Sequence, residues 1–227
     1  MVSGTGFTLA VVTPLLSRVI MSIGGVIFKS IRNKRKFFKA CGDIEKEMDP
    51  FINKLEDEYS KAVYNSRLPA GMSMELHFNI PATPPSSELF NKYYADCFDD
   101  IPLESRAAFS AIKDSLVKIR DFNIDAPTLI RNKEWDKYRQ SLRQLIVEYL
   151  YVHFFTGKFS RSRGKNVVII QSPKKFTSFL LTTNEIDLDE HRLFEKYLKN
   201  KDVVTLSEEE TLDEILEVME KLKNGDD

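Results

Sequence analysis

At 227 residues and 42% apolar side chains, the chain is long enough for one sizeable domain or two small ones with a real core. Its two cysteines, Cys41 and Cys97, exclude a disulfide framework and have no metal-ligand spacing, which fits reduced thiols in a cytosolic compartment. The 33 basic and 34 acidic residues nearly cancel but are segregated: seven cations precede the first acid, Asp43, and residues 185–227 carry fifteen acids against six bases.

Phe7 to Phe28 is an apolar run of 22 residues. At about 1.5 Å per residue it reaches roughly 33 Å, enough for a hydrocarbon core of about 30 Å. A cleaved signal peptide would carry its charge before the run, and a transit peptide would be richer in arginine. Here six cations follow the run between Lys29 and Lys39, so the positive-inside rule puts the C-terminal side in the cytoplasm and Met1–Gly6 outside. An amphipathic helix lying in the interface is the rival reading.

The run is sorted around its helix. Val11, Val12, Leu15, Leu16, Val19, Ile20, Ile23, Val26 and Ile27 share one half of the circumference. Thr13, Ser17, Arg18, Met21, Gly24 and Gly25 share the other. Small residues and paired polar groups drive helix association in lipid, so the second half is an expected association or pore face and the partner is another copy of this chain. Arg18 near mid-span costs at least about 2.5 kcal/mol unless it snorkels, meets a partner or faces water.

The run RNKRKFFK supplies Arg32, Lys34, Arg35 and Lys36 as expected contacts to anionic lipid. The adjacent span accounts for this charge better than nucleic-acid binding does. Cys41 sits where a juxtamembrane palmitoyl group could attach. Helical spacing resumes at Ile44, Met48, Phe51, Leu55, Tyr59 and Val63, with a new helix or a kink expected at Asp49-Pro50. Met74, Leu76, Phe78 and Ile80 alternate with polar residues and predict a short strand. PATPPSS follows as a stiff loop, with Ser87 capping the next helix. Further helices are predicted over 87–100, 103–121 and 134–155, the last with a buried stripe of Trp135, Tyr138, Leu142, Leu145, Ile146, Tyr149, Leu150 and His153. Their short connections imply an antiparallel bundle.

TGKFSRSRGK is predicted to break that helix into a basic loop. Lys158, Arg161, Arg163 and Lys165 are its candidate anion-binding residues, although the P-loop spacing is absent. Val167–Ile170 and Val203–Leu206 read as strands, and 176–183 as either strand or helix. Helices are expected over 188–198 and from a capping box at Ser207 and Glu210. The fold expected is therefore mainly α: one N-terminal transmembrane helix, a cytoplasmic helical bundle and a small α/β C-terminal portion. The expected divisions are an anchor (1–30), a basic juxtamembrane segment with a connecting helix (31–66), the bundle (67–157) and the basic loop with the C-terminal region (158–227).

No nucleophile, metal or dinucleotide motif occurs, and His77, His153 and His191 are far apart, so no catalytic residue, metal or cofactor is assigned and the balance is against an enzyme. Three functional readings stay open. One is a self-associating membrane effector with a cytoplasmic sensing domain, channel-like if the assembly encloses water. Another is a membrane tether for a protein partner. The third is a regulator that binds a nucleotide or phosphorylated small molecule at the 158–175 loop.

Overall fold

The first helix runs without interruption from the apolar segment into the protein core. In the computed structural model, which describes residues 6–68, 74, 76–163 and 173–200, α1 spans Gly6–Ile52. α2 (Leu55–Arg67), α3 (Ser87–Cys97), a 3₁₀ turn (Phe98–Asp100), α4 (Leu103–Arg131), α5 (Trp135–Ser162), α6 (Pro173–Thr183) and α7 (Glu190–Asn200) follow. Residues 1–188 form one unit and residues 189–227 a second. Of the second unit only α7 and its cap are described. The Asp189 carboxylate accepts the Arg192 N–H at 2.9 Å, and this bond holds its pKa below the usual range.

The described residues are helical and contain no strand, so the bundle is as expected and the α/β portion is not seen. Residues 76–80 are extended but pair with no second strand. Side chains of α2 take the place of one. The Glu58 carboxylate, 1% exposed, accepts the Asn79 N–H at 2.8 Å and its amide at 3.3 Å. Asn65 bonds both the N–H and the carbonyl of Met74 at 3.2 Å, and Lys61 donates to the His77 carbonyl at 3.3 Å. Alternation recorded which side chains turn inward, Phe78 onto Trp135 and Tyr138, but the backbone groups found carboxylate and amide partners. Residues 176–183 are helical, with Pro173 at the first position, where its missing N–H costs nothing. Val167–Ile170, Val203–Leu206 and the helix at 207–222 lie outside the described residues.

Glu58→Ala removes the buried carboxylate that accepts the Asn79 N–H, at a cost of about 1–3 kcal/mol. Limited proteolysis should then cut within 76–81 faster than in the parent chain. Unchanged cleavage would show that Glu58 is not what holds the segment.

No new helix begins at Asp49-Pro50; α1 continues to Ile52. Tertiary contacts hold the turn on both sides of the proline. Asp49 binds His153 at 2.6 Å, the Met48 carbonyl accepts the Tyr149 hydroxyl at 3.5 Å, and Phe51 packs edge-on against Tyr149. The helix is interrupted at residues 53–54 instead, and α2 continues along α5 in the same sense as α1, with Glu58 near Tyr138. α4 and α5 also outrun their predicted ends. α5 continues straight through Gly157 to Ser162, so residues 158–162 are helix and not loop.

α5 packs against α1, α2, α4 and α6. Such a helix has little polar face: residues 148–152 are consecutively buried, and Tyr151, Val152 and Phe155 join the predicted stripe. Glu148 is accommodated there by a hydrogen bond from Ser115 at 2.5 Å and an ion pair with Lys118. The other end of the core is aromatic. Phe109 on α4 touches Phe37 of α1, Phe90 and Tyr94 of α3 and Phe159 of α5, with ring centroids 4.2–6.4 Å apart. Cys41 is fully buried among these helices, which removes it as a lipidation site.

Among the described residues, no helix is long and apolar enough to cross a membrane. The expected span lies on α1, but side chains before residue 27 are outside the description.

Candidate functional site: a cationic groove where helix 1 leaves the bundle

α1 enters the core at about residue 33. Over residues 27–32 its side chains are exposed or half-buried, and Ile27, Phe28 and Ile31 are exposed apolar residues one to two turns from the bundle. α1 and α5 run antiparallel, with Asp49 beside His153, Glu45 beside Arg161 and Gly42 beside Ser160. The C-terminal end of α5 is thereby brought to the place where α1 leaves. α3 is also antiparallel to α1. Glu47 receives the Ser86 N–H at 2.9 Å and hydroxyl at 2.6 Å at the start of α3, while Lys36 lies 5.5 Å from the Tyr93 ring near its end. The α3–α4 corner thus lies at the same end and exposes Phe98, under the Arg106 guanidinium at 4.4 Å, and Leu103.

Two glycines set how closely α1 and α5 approach. A side chain on Gly42 would meet the Ser160 hydroxyl at 2.6 Å, and one on Gly157 would collide with the Glu45 carboxylate. Helical glycines cost about 1 kcal/mol each relative to alanine. Here their bareness gives room for the Glu45–Arg161 ion pair, 2.5 Å long, beside Gly157. This accounts physically for a glycine that reads in sequence as a helix breaker.

On the bundle-exit side of this contact is a groove of about 450 Å³ lined by Arg35, Phe38, Lys39, Ser160 and Arg163. Arg35 and Lys39 are four residues apart and share a face of α1. Arg163 ends α5 in the left-handed conformation, φ 51°. α4 and α6 are followed by Lys133 and Glu185 in the same conformation, so this geometry is how the helices stop. What distinguishes position 163 is its place at the groove. None of the three cations forms an ion pair among the described residues, and all three are exposed.

Two sequence-derived sets thus meet in part. Arg35 from the N-terminal basic run and Arg163 from the second basic stretch border one groove. Arg161 is occupied by Glu45, Lys158 lies 5.7 Å from the Phe154 ring, and Lys36 is engaged by Tyr93. Arg32 is exposed and Lys34 half-buried on α1, away from the groove lining. Lys165 lies outside the described residues. Thr13, Ser17, Arg18, Met21, Gly24 and Gly25 lie on the helical backbone of α1, with side chains outside the description. Lys39 was within reach of sequence reasoning, one turn after Arg35. Ser160 was not, because only the crossing of two helices brings it there.

Comparisons with family models, with curated proteins and with solved structures each return no match. The site is therefore read from its own chemistry. Three cations with no ion pair among the described residues, a hydroxyl and an aromatic wall can hold an anion. The histidines do not contribute: His153 serves Asp49, His191 lies 3.4 Å from Glu195, and the His77 carbonyl receives Lys61.

Proposed function

We propose that this chain is a membrane-anchored, self-associating effector in which α1 couples a bilayer-crossing segment rigidly to a cytoplasmic bundle. The observation that carries this reading is the continuity of α1. Forty-seven residues, about 70 Å at 1.5 Å each, pass from the apolar run into the core with no linker between them. A tether needs only attachment and works through a flexible joint. In a continuous rod whose inner half is bundle core, a displacement of the bundle moves the anchor as well.

The end of the bundle from which α1 emerges suits an interface. Ile27, Phe28 and Ile31 are exposed there, Phe98 and Leu103 protrude from the α3–α4 corner, and Arg32, Lys34, Arg35 and Lys36 supply charge for anionic lipid. Within the bilayer, Thr13, Ser17, Arg18, Met21, Gly24 and Gly25 form the association face, and Arg18 is relieved by a neighbouring copy or by water enclosed in the assembly.

The test is cysteine crosslinking of full-length protein in membranes. The native Cys41 and Cys97 are buried and leave a low background. Ser17→Cys and Gly24→Cys should form disulfide-linked dimers, whereas Ile20→Cys on the aliphatic arc should not. Equal crosslinking at all three positions, or recovery of the chain in the water-soluble fraction without detergent, overturns the proposal. Replacing residues 7–28 with an unrelated apolar span should preserve attachment and abolish the dimers. Dimers that survive the exchange would assign association to the bundle and favour the tether.

A further inference from the structure

We propose that the Arg35–Lys39–Arg163 groove is a binding site for a phosphate monoester, presented either on the headgroup of a membrane lipid or on a soluble phosphorylated molecule. The charge fits such a ligand. A monoester is close to a dianion at neutral pH, and two guanidinium groups with an ammonium can neutralise it without drawing on cations engaged elsewhere. Guanidinium groups bind paired phosphate oxygens in a fixed fork, while Lys39 adds a compact charge and Ser160 a hydroxyl. The size also fits. About 450 Å³ is more than a bare phosphate fills and leaves room for a sugar- or inositol-sized group against the Phe38 ring.

The competing charges are accounted for. Of the acids nearest on α1, Glu45 is neutralised by Arg161, while Asp43 lies one turn beyond Lys39 and makes no ion pair among the described residues.

The lipid source rests on the membrane reading above; the soluble source does not. If Phe28 marks the hydrocarbon boundary, Arg35 and Lys39 lie about 10 and 16 Å further along the α1 axis. The headgroup layer on each side is only about 5–8 Å deep. The groove therefore opens beyond the backbone diester phosphates, at a height reached by a headgroup that carries an additional phosphate.

The experiment is native mass spectrometry of the full-length protein in detergent micelles. One series is doped with phosphatidylinositol monophosphate, one with phosphatidylserine, and one receives soluble inositol bisphosphate. The combined Arg35→Gln, Lys39→Gln and Arg163→Gln variant should lose at least about tenfold in affinity for the phosphorylated probes, the loss of one charge-assisted contact or more. A collar variant, Lys29→Gln, Arg32→Gln and Lys36→Gln, removes the same charge and should keep the preference for monophosphate over serine lipid.

Arg163→Gly should weaken binding without lowering the urea midpoint, because glycine accepts the left-handed conformation readily. Preference for the phosphorylated lipid over the soluble probe assigns the lipid source, and the reverse order the soluble one. Equal losses in the groove and collar variants, or no binding of either phosphorylated probe, overturn the proposal. The soluble arm decides the groove even if the chain proves not to insert in membranes.

Discussion

Phe109→Ala is expected to lower the stability of the bundle by about 3–5 kcal/mol, a large part of the 5–15 kcal/mol that holds a domain of this size together. The residue is 1% exposed, and its ring touches α1, α3 and α5 from its position on α4. Truncation removes apolar area and leaves a cavity whose walls belong to four helices, so no single side chain can collapse into it. Urea unfolding of the full chain in detergent, followed by the fluorescence of the single tryptophan, Trp135, should show the midpoint fall by roughly 1–3 M. Leu103→Ala on the same helix is the comparison. Leu103 is 75% exposed, and its loss should change stability by no more than about 0.5 kcal/mol. Similar midpoints for the two variants would mean that the aromatic cluster is not the bundle's core.

Alkaline pH should destabilise the bundle over the same range in which its lysines begin to lose their charge. Burial pushes the Cys97 thiol up to about 11, with the Asp100 charge adding to it. Burial raises Cys41 as well, with Cys97 as the next cause. Burial likewise pushes the Tyr151 phenol up to about 12, helped by Glu148, and raises Tyr138 and Tyr149, helped by Glu58 and Asp49. Each of these groups is neutral in the folded state. An unfolded chain releases the thiol protons near pH 9 and the phenol protons near pH 10. Above those values the folded state holds more protons than the unfolded state, so stability falls as pH rises.

The contribution is fully present below about pH 9 and declines by about 1.4 kcal/mol per pH unit for each group so displaced, until its folded pKa is reached. The urea midpoint should therefore hold steady from pH 7 to 8.5 and drop steeply between 9 and 11 (all about, set by these windows). Cys41→Ala combined with Cys97→Ala should move the onset upward by about one pH unit, to where the phenols begin. A midpoint at pH 11 equal to that at pH 8 (about three units lower) would show that these groups are not buried as described.

The bundle helices were legible in sequence because each buries a stripe that recurs at helical spacing. Ile44, Met48, Leu55, Tyr59 and Val63, and Tyr138, Leu142, Leu145, Ile146, Tyr149 and Leu150, are buried as their periodicity implies, whereas Phe51, Trp135 and His153 of the same stripes are only half-buried. The errors have a common origin. Local punctuation, whether Asp49-Pro50, Gly157 or the alternation at 74–80, signals what a segment would do without neighbours. In each case a neighbour overrode it. His153 and Tyr149 hold the proline turn, Glu45 fits against the bare glycine, and Glu58 and Asn65 satisfy an extended backbone that would otherwise seek another strand.

Charge and hydrophobic order along the chain are properties of the sequence alone: a run of apolar residues, a block of cations after it and a helical repeat beyond. Those features need no partner, because periodicity and net charge are local sums. Which cations remain free is a different kind of property. Arg161 and Arg163 are two residues apart in the same basic stretch, yet one is paired with Glu45 and the other borders a groove with Arg35 and Lys39. That distinction arises where two antiparallel helices cross, and distance in space, not along the chain, determines which charges find a counterion.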